Sequence, residues 1–327
     1  MNLNHSHISV ESKTASKEVR VSLVLSAYNG REYITEQLDS LRQQSRAFDE
    51  VLIVDDASSD GTPGIVESYI EHYQLNNWNL TVNAQNKGWK TNFHDLLYHA
   101  SGDYIFLCDQ DDVWELCKVS DMTALMQLHH EIDLLACDVE PFYQEGSKRV
   151  PNVGNGANDG KVCIKSLDDK AVYVLRPGCA YCVRRSFLNE IAPYWDESWA
   201  HDAMLWELAL VKGTLALYDR RLVKFRRHDG NASARKKMTK ERRIADIEDL
   251  IDRVALMKRF GSDLGTMSVN DKSLLDALDS WLNFRLQFLS ERDIGSLVRV
   301  VGERSFYATW KGLIVDIALS VFTKLSL

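Results

Sequence analysis

Asp109-Gln-Asp-Asp112 follows directly on the apolar run Tyr104-Ile-Phe-Leu-Cys108. Carboxylates this close repel one another unless a cation lies between them. Oxygen ligands of this kind suit Mg²⁺ or Mn²⁺, bound jointly with substrate phosphates. A solvated acidic turn would explain the acids alone, but not their place at the end of an apolar strand. Asp55-Asp56 ends a second apolar run, Val51-Leu-Ile-Val54. A carboxylate there can accept from a nucleotide base N–H or a ribose hydroxyl. The plainer role, capping the next helix, can fall to Ser58 or Asp60 instead. Ala200-His-Asp202 opens an amphipathic stretch, where Asp202 reads either as a helix N-cap or as a general base. Residues 220–243 hold eleven Lys or Arg against only Asp229 and Glu241. In a chain of net charge −8 that concentration points to an anionic partner: donor phosphates, a lipid diphosphate or a membrane surface. His228 lies inside this run, among charge and glycine rather than in an apolar core.

Bringing these residues together requires a sheet that aims its strand ends at one place. The apolar runs predict strands over 21–26, 51–54, 80–82 and 104–108, with helices over 31–43, 63–73 and 90–99 between them. Ala27-Tyr-Asn-Gly30 and Ser58-Ser-Asp-Gly-Thr62 supply the turns, and Asn83-Ala-Gln-Asn-Lys-Gly88 a loop. This alternation implies an α/β fold with a mainly parallel, doubly wound sheet. Ligands of such sheets sit beyond the carboxyl ends of the strands. Tyr28-Asn29, Asp55-Asp56 and Asp109-Gln-Asp111 all stand there. The middle, 140–180, is less regular, and the Gly- and Asn-rich stretch 151–160 is a candidate lid or acceptor loop. A helix near 202–211, two short strands near 214–226, and helices over 239–260, 270–290 and 295–322 complete the chain. A composition shift near 235 divides it into a polar tail (1–19), an α/β domain (20–235) and a helical C-terminal extension (236–327).

At 327 residues, 45% hydrophobic and 26% charged, the chain can bury a core and is not a disordered or collagen-like sequence. The acidic balance argues against nucleic acid as partner. Six cysteines are too sparse for a disulfide scaffold, so a reducing, cytoplasmic compartment fits. Cys179 and Cys182 form a lone CxxC, where structural zinc would want a second pair. The first twenty residues lack the apolar core of a secretory signal. The most apolar stretch, 312–322, is interrupted by Asp316 and reads as a packed terminal helix that could also lie on a membrane surface.

These segments, in this order, resemble the family 2 glycosyltransferases of the GT-A fold. The resemblance rests on Val21-Ser-Leu-Val-Leu-Ser-Ala-Tyr-Asn-Gly30, Val51-Leu-Ile-Val-Asp-Asp-Ala-Ser-Ser-Asp-Gly-Thr62 and Leu107-Cys-Asp-Gln-Asp-Asp-Val-Trp114. The later Gly178-Cys-Ala180, His201-Asp202 and Arg226-Arg-His-Asp-Gly-Asn-Ala-Ser233 are similar to acceptor-side blocks of bacterial polysaccharide transferases, rhamnosyltransferases among them. The resemblance implies a Rossmann-like GT-A domain that binds a dTDP- or UDP-sugar. Ala27, Tyr28 and Asp56 would contact the nucleoside, with Lys87 and Gly88 alongside. Asp109 and Asp111 would form a DxD pair. Asp111 would ligate Mg²⁺ or Mn²⁺, Asp109 would lie near the ribose or the metal, and His228 would approach the metal or the diphosphate. Asp202 would be the catalytic base of an inverting transfer to a saccharide hydroxyl. The implied acceptor is lipid-diphosphate-linked, used in O-antigen or capsule synthesis, with the protein peripheral at the inner face of the cell membrane. One departure stands out: the family often carries Glu-Asp where this chain has His201-Asp202, which leaves His201 without an assigned role.

Two other classes compete. Cys108-Asp-Gln-Asp-Asp-Val113 also fits the nucleophile motif of a haloacid-dehalogenase-type phosphatase, but that motif belongs on a first strand and here follows three β/α units. A non-catalytic carbohydrate-binding protein would not need Asp56, Asp109, Asp111 and Asp202 together. A dinucleotide oxidoreductase would need a GxGxxG after the first strand, which is absent.

Overall fold

The computed structural model describes residues 19–143, 156–228 and 238–322. Most of the polar tail, the first half of the 151–160 loop, the centre of the basic run and the boundary near 235 lie outside the described residues.

The N-terminal half alternates as expected: β1 (Val21–Ala27), α1 (Ile34–Arg42), β2 (Glu50–Asp55), α2 (Thr62–His72), β3 (Trp78–Val82), α3 (Trp89–His99) and β4 (Tyr104–Cys108). The order β3-β2-β1-β4 is parallel throughout, with Leu25 opposite both Ile53 and Cys108. β1 and β4 are apolar almost without interruption because helices cover both faces of the sheet. The register brings Ala27, Asp55 and Cys108 to one edge, so the residues just after them share a rim.

The less regular middle holds β5 (Val113–Trp114), α4 (Lys118–Leu128), β6 (Leu134–Tyr143), β7 (Val162–Ile164), β8 (Tyr181–Arg184) and α5 (Arg185–Ile191). β8 enters antiparallel between β4 and β6. α6 (His201–Lys212) and β9 (Leu215–Arg227) follow. β9 replaces the two short strands expected near 214–226. Asp219-Arg-Arg221 interrupts the apolar pattern, but register shifts at Cys137/Asp138 and Asp138/Val139 absorb the extra residues as a bulge, and the strand runs on for thirteen residues. β9 pairs parallel with β6 and antiparallel with β5 and β7, closing a nine-stranded sheet among the described residues.

The C-terminal helices are α7 (Lys240–Leu264), α8 (Val269–Glu291), α9 (Ile294–Gly302) and α10 (Trp310–Phe322). The single helix expected over 295–322 is thus two, separated by a short turn at Arg304–Phe306. The break lets the Tyr307 hydroxyl reach Asp316 Oδ2 at 2.6 Å. Nine residues of unbroken helix would hold them about 13 Å apart. Phe306 and Tyr307 pack on Trp281 of α8, while Arg285 and Arg243 also bind Asp316, which is 1% exposed. A carboxylate buried so deeply needs such partners. α7 packs against α6, and the apolar core runs without a gap from the sheet into the helices. Among the described residues, no helix is long and apolar enough to cross a membrane.

Candidate active site

A cleft of about 530 Å³ opens at the carboxyl ends of β1, β2 and β4. Tyr28, Asp56, Gly88, Asp109, Asp111 and Asp202 all line it. Of the remaining predicted site residues, Ala27 is buried in β1 and contributes its carbonyl, which accepts from Asp56 N at 2.8 Å. Lys87 turns its ammonium towards Asp95, 3.8 Å away, and gives its N–H to Asp56.

Asp56 organises the loop beside the cleft. Its Oδ1 accepts from Asn83 Nδ2 and Lys87 N, and its Oδ2 from Gly88 N, at 2.8–2.9 Å. Burial alone would raise its pKa, but the Lys87, Asn83, Asn92 and Gly88 hydrogen bonds outweigh burial and hold the carboxyl below its ordinary value. Gly88 has φ +86°, a conformation that favours glycine. Asp55 is fully buried and receives both Ser58 N and Ser58 Oγ, so it shapes the turn. Asp60 accepts from Thr62 N and Oγ1 at the start of α2, which leaves Asp56 free of capping.

The 109–112 loop splits its acids. Asp111 Oδ2 lies 2.8 Å from His228 Nε2, and the His228 ring packs on Tyr33. Asp112 is fully buried and accepts from Arg226 N at 3.0 Å through Oδ1, while its Oδ2 has no hydrogen-bond partner among the described residues. Asp109, Asp112 and Cys179 cluster with ligand atoms within 4.8 Å. Burial pushes the Cys179 thiol well up, so it stays a thiol and not a thiolate. Burial, followed by repulsion from Asp111 and Asp202, pushes Asp109 up to about 7. Lys118 lies beneath this loop, giving its ammonium to Cys179 O at 2.5 Å and lying over Trp114. Asp109 and Asp111 face the cleft, and their mutual repulsion is what a hard divalent cation would relieve, while His228 bonds Asp111 from outside the cleft lining. Cys182, the other half of the CxxC, sits in β8 and takes no part in the cluster.

Asp202 faces Asp109 from the start of α6. It is not the N-cap. Ala200 holds that position, with no side-chain cap, and Asp202 stands in the first turn with Oδ1 accepting from Ala203 N at 2.8 Å. His201 packs on Phe93 at 3.9 Å and edge-on to Trp89, and burial lowers its pKa to about 4, so it is neutral. A Cβ at Gly178 would fall 2.5 Å from His201 Nε2, so only glycine lets this wall close up.

Two residues not predicted to hold the 109–112 loop do so. Gln110, the middle of the DxD, accepts from Tyr28 N at 2.8 Å and donates to Tyr28 O at 3.0 Å. A Cβ at Gly30 would meet Gln110 Oε1 at 2.3 Å. Arg226 donates Nε to Asp111 O at 2.7 Å, pairs with Glu36, and lies over Tyr33 and Phe142. Its place in the basic run hid this role. Within the described part of that run, Arg220 pairs with Asp121, Lys224 with Glu115 and Arg243 with Asp316.

An uncharacterised protein of Mycobacterium tuberculosis, Rv1520, is 37% identical over 131 residues, 39% of this chain and 37% of its own length. The chain thus spans well under half of that relative. The dTDP-rhamnosyl transferase RfbG of Shigella flexneri is 25% identical over 219 residues, 63% of this chain and 72% of its own. The crystal structure of Staphylococcus aureus TarS residues 1–349 with UDP-GlcNAc superposes with a TM-score of 0.58 at 21% identity, covering 92% of this chain and 81% of that one. That likeness shows a shared GT-A fold. The family model described as glycosyl transferase family 2 matches residues 22–187, which hold both acidic strand ends and the loop between them; with half of the 327 residues matched, the chain belongs to glycosyl transferase family 2.

Proposed function

We propose that the protein is an inverting, metal-dependent glycosyltransferase that moves a sugar from a UDP- or dTDP-sugar to a hydroxyl of a saccharide acceptor. One observation carries the reading: Asp109 and Asp111, the latter bonded to His228, share a single cleft with Asp202. Asp109, Asp111 and His228 would hold the cation. Bound there, Mg²⁺ or Mn²⁺ would neutralise charge developing on the leaving diphosphate. Tyr28 and the loop held by Asp56 bind the nucleoside. Asp202 accepts the proton of the acceptor hydroxyl, whose oxygen attacks the anomeric carbon from the face opposite the diphosphate. A single displacement of this kind inverts configuration. RfbG and TarS support the choice of donor nucleotide.

The acceptor we propose is a lipid-diphosphate-linked saccharide of a surface polysaccharide, such as O-antigen or capsule, met at the cytoplasmic face of the membrane. Arg220, Lys224 and Arg243 of the basic run are paired within the protein, and contact with an anionic membrane surface falls mainly to exposed apolar residues of α9 and α10, such as Ile294, Val298 and Trp310. The test is thermal stabilisation by UDP-GlcNAc and dTDP-rhamnose with Mg²⁺, with Mn²⁺ and with chelator, on the wild type and Asp111→Asn. Stabilisation by at least one donor that needs the cation and is lost in Asp111→Asn is expected. Metal-independent stabilisation, or an unaffected Asp111→Asn, would overturn the assignment.

A further inference from the structure

α6 is buried on nearly every side, from Ala203 to Leu210. Apolar packing holds such a helix in place but only loosely sets its rotation and axial position. The one acid inside that stretch is Glu207, 3% exposed. A carboxylate in that setting needs a charged, hydrogen-bonded partner. The partner comes from the C-terminal extension: Arg253 of α7 gives Nε to Glu207 Oε2 at 3.0 Å and Nη2 to Glu207 Oε1, a planar two-point fork. The same Nη2 reaches Val172 O at 3.3 Å, and Asp249 steadies Nη1 at 3.5 Å. Val172 opens the segment that runs through Arg176 to Pro177 and Gly178. Arg176 is itself clamped by the buried Asp138 at 2.6 Å. Pro177, Gly178 and Asp202 all line the cleft. One guanidinium therefore holds both the helix that carries Asp202 and the start of the segment that leads to the wall facing it.

We propose that Arg253, through its fork on Glu207, is a positioning residue for Asp202, so that the C-terminal helical extension sets the geometry of the active site. This rests on the reading of Asp202 as the base. Asp202 lies five residues before Glu207, about 7.5 Å along the same rigid helix. A slip of α6 that breaks the fork carries the Asp202 carboxylate with it, and a misplacement of about 1 Å can cost a hundredfold in rate. The nucleotide side of the cleft, built from β1, β2 and the 83–88 loop, has no contact with Arg253. Turnover and nucleotide affinity should therefore separate.

The experiment compares Arg253→Met, Arg253→Lys and the double variant Arg253→Met/Glu207→Met with the wild type. Release of nucleoside diphosphate is followed with whichever of UDP-GlcNAc or dTDP-rhamnose the wild type consumes. UDP affinity in Mn²⁺, melting temperature, and hydrogen exchange of the 200–204 amides in the UDP–Mn²⁺ complex are read beside it. Arg253→Met should lower kcat about tenfold or more while UDP affinity holds, and exchange at 200–204 should rise. Arg253→Lys should recover part of both. The double variant removes the orphaned charge, so its melting temperature should recover while its kcat and exchange do not. Unchanged exchange and kcat in Arg253→Met, or a double variant with wild-type kcat, overturns the proposal. A silent Asp202→Asn would instead sink the base reading itself. A hundredfold loss in Asp202→Asn beside an unaffected Arg253→Met refutes only the positioning role.

Discussion

Asp202→Asn separates two roles by their size. Asn keeps the shape of the side chain, and its Oδ1 can still accept from Ala203 N, the bond that Asp202 makes at 2.8 Å. What the folded state loses is a negative charge in the first turn of α6, worth about 0.3–1 kcal/mol. With unfolding entropy near 2.1 cal/mol/K per residue, a 327-residue chain has about 0.7 kcal/mol/K, so the melting temperature should fall by no more than about 2 °C. The chemical loss is larger. A general base contributes about 10²–10⁴-fold, or 2.7–5.4 kcal/mol of barrier. Donor binding should persist, because Asp109, Asp111 and His228 are untouched. The assay is turnover at saturating donor and acceptor, with UDP affinity in Mn²⁺ and melting temperature measured on the same preparation. A drop of at least about a hundredfold, with affinity and stability held, is expected. Wild-type turnover would refute the base role and turn attention to His201. A fall of more than about 10 °C with loss of UDP binding would refute the structural reasoning instead.

Arg226→Ala removes the Nε bond to Asp111 O and the pair with Glu36; charged hydrogen bonds of this kind are worth about 1.5–3 kcal/mol, and UDP affinity in Mn²⁺ should weaken about tenfold or more. Unchanged affinity in calorimetry would show that the loop keeps its form without the guanidinium. Burial depresses His201 from 6.5 to about 4, so as pH falls through 6.5 the unfolded chain takes up a proton that the folded one refuses. Its contribution is thus full above that pH and fades on the way down to about 4; between pH 7 and pH 5, His201→Gln should lose fewer degrees of melting temperature than the wild type, and parallel losses would contradict a buried neutral imidazole. Asp316→Asn leaves Arg243 and Arg285 without their buried counter-charge, which should cost about 3–5 kcal/mol, or roughly 4–7 °C of melting temperature. A shift below about 1 °C in calorimetry would mean the arginines find water or other partners.

The N-terminal half was legible because both faces of its strands are covered. Each strand therefore reads as a plain apolar run, and each run ends in the residues that line the cleft. Tyr28, Asp56, Asp109 and Asp111 could be found that way. β8 and α5 span only four and seven residues and carry no period long enough to read. β9 was split in two because a bulge looks, in sequence, like the end of a strand. Gln110 and Arg226 act through backbone atoms of residues 82 and 115 positions away, and no local pattern reports such a bond. The same holds for Asp202: its residue type suggested a cap, while the cap position falls two residues earlier, at an alanine with extended backbone.

The place of β9 has a consequence for how the chain acquires its shape. β9 lies between β6 and β5 in the sheet, yet among the described residues it is the last strand. The parallel set β3-β2-β1-β4 can pair as soon as residue 108 is available. β6 cannot complete its pairing until residues 215–227 arrive, and until then it exposes an open edge of apolar backbone of the sort that recruits other chains. A product ending near residue 187 would keep that edge open permanently. It would also lack Asp202, Arg226 and His228. Six strands, β3-β2-β1-β4-β8-β6, can pair without β9, whereas among the described residues β5 and β7 find their only partner, and Arg226 and His228 their place, only when β9 inserts.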